Sequence, residues 1–169
     1  MTIPATINDL LEENGFELKS VGYARHPYNN KYVRHLFEKG HMDESTSLQM
    51  EGRFDKFDYV LSFLGFADET CLFLSGYKIV GYERDARQYL REYPFQDHIN
   101  EKIVFYKLER LQFLEQYSNR LMIAWGQGAR AWLQNGTNPK SIILFSDVPI
   151  DPKDYLNTIS NRFCRASGK

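Results

Sequence analysis

The stretch Cys71-Leu72-Phe73-Leu74-Ser75-Gly76-Tyr77-Lys78-Ile79-Val80-Gly81-Tyr82 decides the fold class. Its aromatic and β-branched residues read as a strong strand, and Gly76 and Gly81 read as bulges or points of close backbone approach. Before it, Asp68-Glu69-Thr70 reads as a turn. Further back, Phe54, Phe57, Tyr59, Leu61 and Phe63 give a strand-rich stretch that ends at Leu64. After it, the pattern predicts one or two helical turns over 85–91, stopped by Pro94, and an alternating strand over 103–108. Residues 121–125 and 129–134 flank Gly126-Gln127-Gly128 and predict a short hairpin. A second turn at 135–139 precedes a strand over 141–145, and Pro149, Asp151 and Pro152 introduce a helix from about 153 to 162. At the other end, Ile7, Leu10 and Leu11 share one helix face over 6–14. Thr6-x-x-Asp9 opens that helix as a capping box and Gly15 stops it. A weak strand follows over 16–23, broken near Lys19-Ser20, then a helix over 28–39 and a polar loop over 41–49. Short strands, tight turns and helices at both ends predict an α+β fold. It is built on an antiparallel sheet or partial β-barrel, in one domain spanning 1–169.

Composition narrows the function classes. The 169 residues carry 21 Lys or Arg against 22 Asp or Glu, so the chain is neither a basic tail nor an acidic DNA mimic. A chain of this size buries roughly 70% of its unfolded surface and needs no staple. Cys71 and Cys164 lie far apart, without zinc-ligand spacing, and read as two reduced thiols. No basic start with an apolar run and no stretch of membrane-spanning length is visible, so the expected setting is cytoplasmic, without a membrane partner. Aromatic residues make up 15% of the chain, which is the unusual figure.

The segments Tyr106-Lys107-Leu108 and Arg120-Leu121-Met122-Ile123-Ala124-Trp125-Gly126-Gln127-Gly128-Ala129-Arg130-Ala131-Trp132-Leu133-Gln134 carry a likeness. Together with Thr6-Ile7-Asn8-Asp9-Leu10-Leu11, Arg25-His26 and Leu72-Phe73-Leu74-Ser75-Gly76-Tyr77-Lys78-Ile79-Val80, they resemble the N-terminal accessory domain of bacterial GIY-YIG nuclease proteins. In that family the nuclease module follows the accessory domain. Here no Gly-Ile-Tyr and Tyr-Ile-Gly pair occurs up to Lys169, so the resemblance implies the accessory part and not the cutting part. DNA handling is inferred from the attachment to a nuclease.

Two groups of residues are candidates for that role. On a strand, Arg130, Trp132 and Gln134 share one face. A guanidinium, an indole and an amide there suit phosphate, base face and base edge. The plain structural reading has Trp125 and Trp132 filling the core and the glycines making a turn. The second group is Arg25, His26, Lys31, Arg34, His35, Lys39 and His41, interleaved with Tyr23, Tyr28 and Tyr32. Residues 20–42 hold four Lys or Arg and the single acid Glu38, a local charge of +3. Such a patch tracks a phosphate backbone, or is a solvated face balanced by the acids of 9–17. A metal at the three histidines lacks a carboxylate pattern. Glu17-Leu18-Lys19 has the Glu-x-Lys form of metal-dependent nucleases but no second carboxylate suitably placed. Tyr77, Tyr82, Phe105, Tyr106, Trp125 and Trp132 either line a pocket for an extruded base or form an aromatic core.

The expected function is a non-catalytic DNA-recognition module linked to restriction, phage defence or counter-defence, with no cofactor. The expected contacts are Arg25, His26, Lys31, Arg34, Arg130, Trp132 and Gln134. The alternative is a protein-binding inhibitor of a nuclease defence system, carried by a phage or mobile element.

Overall fold

The computed structural model describes residues 3–67, 69–89, 102–125, 132–133 and 141–157. Helix α1 (Ile7–Glu13) begins as its sequence predicts. The Thr6 hydroxyl accepts the Asp9 N–H at 3.0 Å, and the Asp9 carboxylate accepts the Thr6 N–H at 3.1 Å. Both satisfy N–H groups that the first turn leaves unpaired. Gly15 follows at φ +84°, a conformation that favours glycine. The strand expected over 16–23 starts later. A 3-10 turn (Leu18–Ser20) precedes β1 (Val21–Pro27), so the break at Lys19-Ser20 is the boundary of the strand.

Helix α2 (Lys31–Glu38) is capped by Asn30, whose side-chain oxygen accepts the N–H groups of Tyr32 and Val33. The region expected as a polar loop instead forms α3 (Met42–Ser47) and β2 (Leu48–Met50). Its polar residues misled the reading because they face inward: Thr46 and Ser47 are buried. Periodicity of apolar residues does not register a helix whose buried face is polar.

The remaining strands are β3 (Tyr59–Gly65), β4 (Thr70–Glu83), β5 (Ile103–Arg110), β6 (Leu121–Ala124), β7 (Trp132–Leu133) and β8 (Ser141–Phe145). A 3-10 turn (Ala86–Tyr89) follows β4, and a second (Gln112–Tyr117) follows β5. Helix α4 covers 152–157 within the described residues. The sheet order is β2-β5-β4-β3-β1-β7, with β6 branching from β4 and β8 outside β6. The described pairs are antiparallel, except that β1 lies parallel to β3. The connection between those two strands carries α2, α3 and β2. The fold is therefore α+β on an open, mostly antiparallel sheet with helices near both ends.

The fork in β4 explains the branch. Its first residues, Thr70 to Leu72, pair with β6, while Tyr77 to Glu83 pair with β5. The register of β4 on β5 slips between Ile79 and Gly81, as the glycine there implies. At Gly76 a Cβ would run into Leu114, so this glycine permits the 3-10 turn to lie close. The turn of the expected hairpin, 126–128, lies outside the described residues, and the described part of its second strand, Trp132–Leu133, does not pair with β6. Strand β6 has β4 on one edge and β8 on the other, so neither edge is left for β7. Strand β7 instead pairs with β1, Trp132 opposite Ala24 and Leu133 opposite Tyr23.

Alternation along β1 and β3 divides the core between two faces. On one, Val21, Tyr23, Leu61 and Phe63 pack with α1 residues Ile7, Leu10 and Leu11, and with Trp125. On the other are two apolar clusters. One joins Tyr28, Leu36 and Leu64 to Tyr155 and Leu156; the second joins Ala24, Phe54, Val60 and Tyr106. Among the described residues no helix is long and apolar enough to cross a membrane.

Candidate functional site

At the C-terminal end of β1 the chain turns into α2, and the basic residues separate. Arg25 and His26 are neighbours on a strand and face opposite sides of the sheet. His26 lies beneath α3. Its Nε2 is 3.2 Å from Thr46 Oγ1 and its Nδ1 is 3.5 Å from Ser45 Oγ; Thr46 Oγ1 in turn is 3.0 Å from Ser62 Oγ. Burial pushes the imidazole pKa down to about 4, so the ring is neutral at pH 7. Its place is a buried polar contact between β1, α3 and β3.

Arg25 lies across Gly65, where a Cβ would collide with the guanidinium. Its Nη2 donates to the Phe66 carbonyl at 3.2 Å. Its Nε is buried and meets no acceptor among the described residues, and the same holds for Trp125 Nε1. These two donors belong to the same neighbourhood: the Trp125 ring is 5.0 Å from the Phe63 ring, and Phe63 is the register partner of Arg25. Trp132 continues the sheet beside Ala24 through its backbone. Arg130 and Gln134 lie outside the described residues.

Lys31 and Arg34 are brought together on α2. Positions 31, 34, 35 and 38 follow helical spacing and present one face. Lys31, Arg34, His35 and Glu38 line an open pocket of about 570 Å³, closed from the other side by Lys153, Leu156 and Asn157 of α4, with Tyr28 also in its wall. Helix α4 is held there by Tyr155, whose hydroxyl is 2.5 Å from Thr70 Oγ1 and whose ring lies 4.7 Å from that of Phe66 at a tilt of 59°. Lys153 Nζ is 3.1 Å from Glu38 Oε1; the side chains are 67% and 48% exposed, so the pair contributes little stability. The Lys153 pKa is raised, first by its hydrogen bond to Glu38, which keeps it charged. The Tyr28 phenol pKa is raised by burial first and by the charge of Glu38 next, with Asp151 adding to it and Lys153 and Arg34 opposing. Its hydroxyl therefore senses the same charges that ring the pocket. Lys31 Nζ lies 5.0 Å over the Tyr32 ring. Lys153 and Asn157 were missed by sequence reasoning, because a contact between 38 and 153 leaves no trace in local spacing.

A second polar cluster was also missed. Arg110 donates to both oxygens of Asp43, Nη2 to Oδ1 at 3.0 Å and to Oδ2 at 2.8 Å, and its Nη1 donates to Glu115 at 3.1 Å. Tyr77 donates its hydroxyl to Asp43, and Ser75 donates to the other Glu115 oxygen at 3.0 Å. Burial first, then the bond to Asp43, raise the Tyr77 phenol pKa, so it stays a donor. Every carboxylate oxygen in the cluster is engaged. Its role is to tie α3 to β4 and β5.

The other motifs are placed as follows. Glu17 and Lys19 face each other at 3.9 Å with three quarters of each side chain exposed. Lys19 lies in the 3-10 turn instead of on a strand. Among the described residues, no group of three or more His, Cys, Asp or Glu is gathered to hold a metal ion. Tyr77, Tyr106 and Trp125 are buried, Tyr106 and Trp125 in separate clusters, and Tyr82 is on the surface with its ring 5.7 Å from that of Tyr106. Against known proteins, the chain matches no family model, no curated protein and no solved structure.

Proposed function

We propose that the chain is a non-catalytic nucleic-acid recognition module that acts in the cytoplasm alongside a nuclease system of defence or counter-defence. The observation that carries the reading is the convergence of Lys31, Arg34 and Lys153 on one open pocket with Tyr28 in its wall. The protein is nearly neutral as a whole, but a local cationic surface attracts phosphate through its own field. Because each neutralised phosphate releases counterions, affinity for DNA falls steeply with salt. The test is DNA affinity across a salt series, for the protein and for the double variant Lys31→Ala/Arg34→Ala. Losing two phosphate contacts lowers the slope of log affinity against log salt by roughly two. An unchanged slope would make these residues a solvated face.

A second reading, the protein-binding inhibitor, draws on a different surface. Ile143, Leu144 and Val148 are 51%, 49% and 67% exposed on and just beyond β8. The outer edge of β8 is bonded at Ile142, whose N–H donates to the Ala5 carbonyl at 2.9 Å, so a partner would meet the exposed apolar side chains. Under this reading the protein co-purifies with a partner protein and shows no salt-dependent DNA affinity.

A further inference from the structure

The arrangement of charge in the α2–α4 pocket differs from what the interior of a nucleic-acid strand calls for. A backbone passing a protein presents one charge for about every 3.4 Å of helix axis on each strand, and meets cations strung along its path. Here Lys31, Arg34 and Lys153 instead surround one cavity of about 570 Å³, with the single carboxylate Glu38 and the imidazole of His35. Without the histidine the lining residues themselves carry a net charge of +2, and Asp151, whose charge reaches Tyr28 and Lys153, stands outside that lining. An internal phosphodiester carries one negative charge. A terminal phosphomonoester carries about −1.5 to −2 at pH 7 and offers three acceptor oxygens. The charge of the pocket therefore matches a monoester.

The shape agrees with the charge. A volume of this order falls within the range of small-molecule sites, in a pocket open to solvent. The α2 side supplies Lys31 and Arg34, while α4 supplies Lys153 together with the apolar Leu156 and the amide of Asn157, suited to a sugar or base behind the phosphate. Lys153 is paired with Glu38, and both side chains reach solvent. That pair is weak enough for a dianion to displace.

We propose that this pocket binds the terminal phosphomonoester of a nucleotide unit, and in a nucleic acid the 5′-phosphorylated end of a strand. The inference rests on the nucleic-acid reading above and assigns the chemistry of its site. Strand ends and free mononucleotides share that group, so the test contains both. Binding of the full chain is measured for one short duplex with a 5′-phosphate and the same duplex with a 5′-hydroxyl. Adenosine 5′-monophosphate and adenosine are the competitors.

The phosphorylated duplex binds about tenfold tighter, the effect of one or two charge-assisted contacts. The preference disappears in Lys153→Gln and in Arg34→Gln. In Glu38→Gln it grows, because the carboxylate that occupies Lys153 and repels the ligand is gone. Tighter competition by adenosine 5′-monophosphate than by either duplex assigns the site to free nucleotides, still as a monoester pocket. Equal affinity for the two duplexes, with no competition from the monophosphate, overturns the inference and leaves the nucleic-acid reading standing. Absence of binding to every probe overturns both. A weaker preference in Glu38→Gln, with an unchanged melting temperature, also overturns the pocket assignment, since that variant keeps the shape and removes only the opposing charge.

Discussion

His26 shows how one residue changes meaning between sequence and structure. In the sequence it stands beside Arg25 in a basic run; in the structure it is only 8% exposed and hydrogen-bonded beneath α3. The consequence is a pH dependence of stability. The unfolded imidazole has a pKa near the ordinary 6.5, and the folded one is lowered to about 4 by burial. Between these values the unfolded state binds more protons, so stability rises with pH in this window and falls as pH drops from about 6.5 towards 4. At about 1.36 kcal/mol per unit, the loss attributable to this residue reaches roughly 3 kcal/mol at pH 4. Urea unfolding at pH 7 and at pH 4.5 measures it. His26→Gln is expected to flatten the dependence over this window while lowering stability at pH 7. A slope as steep in the variant as in the parent would place the titrating group elsewhere.

Helix α2 is short and carries the cationic wall of the pocket, so its N-terminus matters more than its length suggests. Asn30 satisfies two N–H groups of the first turn. Replacing it with Ala is expected to cost about 1 kcal/mol, seen as a lower melting temperature. Replacement with Asp should keep the cap. A melting temperature unchanged in Asn30→Ala would show that packing of Leu36, Val33 and Phe37 alone holds the helix. The capping box of α1 was legible because all its partners lie within three residues. The helicity of 42–47 was not, since its polar side chains answer to His26, Ser62, Tyr77 and Arg110 on other strands.

For the whole molecule, the open sheet leaves margins that a closed barrel would not have. Strand β8 pairs with β6, and the register slips between Met122 and Ile123, so both Ile143 and Leu144 are turned outward. Such exposed apolar side chains favour association. Ile143→Lys is expected to suppress self-association in sedimentation at high concentration, with stability changed by no more than about 0.5 kcal/mol, as for other surface substitutions. If association persists unchanged, the contact lies on another surface.

Much of the secondary structure was determined by the sequence itself. The 70–83 strand, its two glycines, the capped helix at the start and the α+β class follow from short-range spacing, because caps, bulges and alternation act between residues a few positions apart. Tertiary structure decided the rest. It set β6 between β4 and β8 and sent β7 to β1, since pairing depends on which edges remain free once the long β4 is in place. It buried His26, left Lys31 and Arg34 exposed, and carried Lys153 across more than a hundred residues to face them. Those placements depend on the packing of α2 and α4 against one face of the sheet. Residues that meet only through a shared core leave no mark on each other's local sequence.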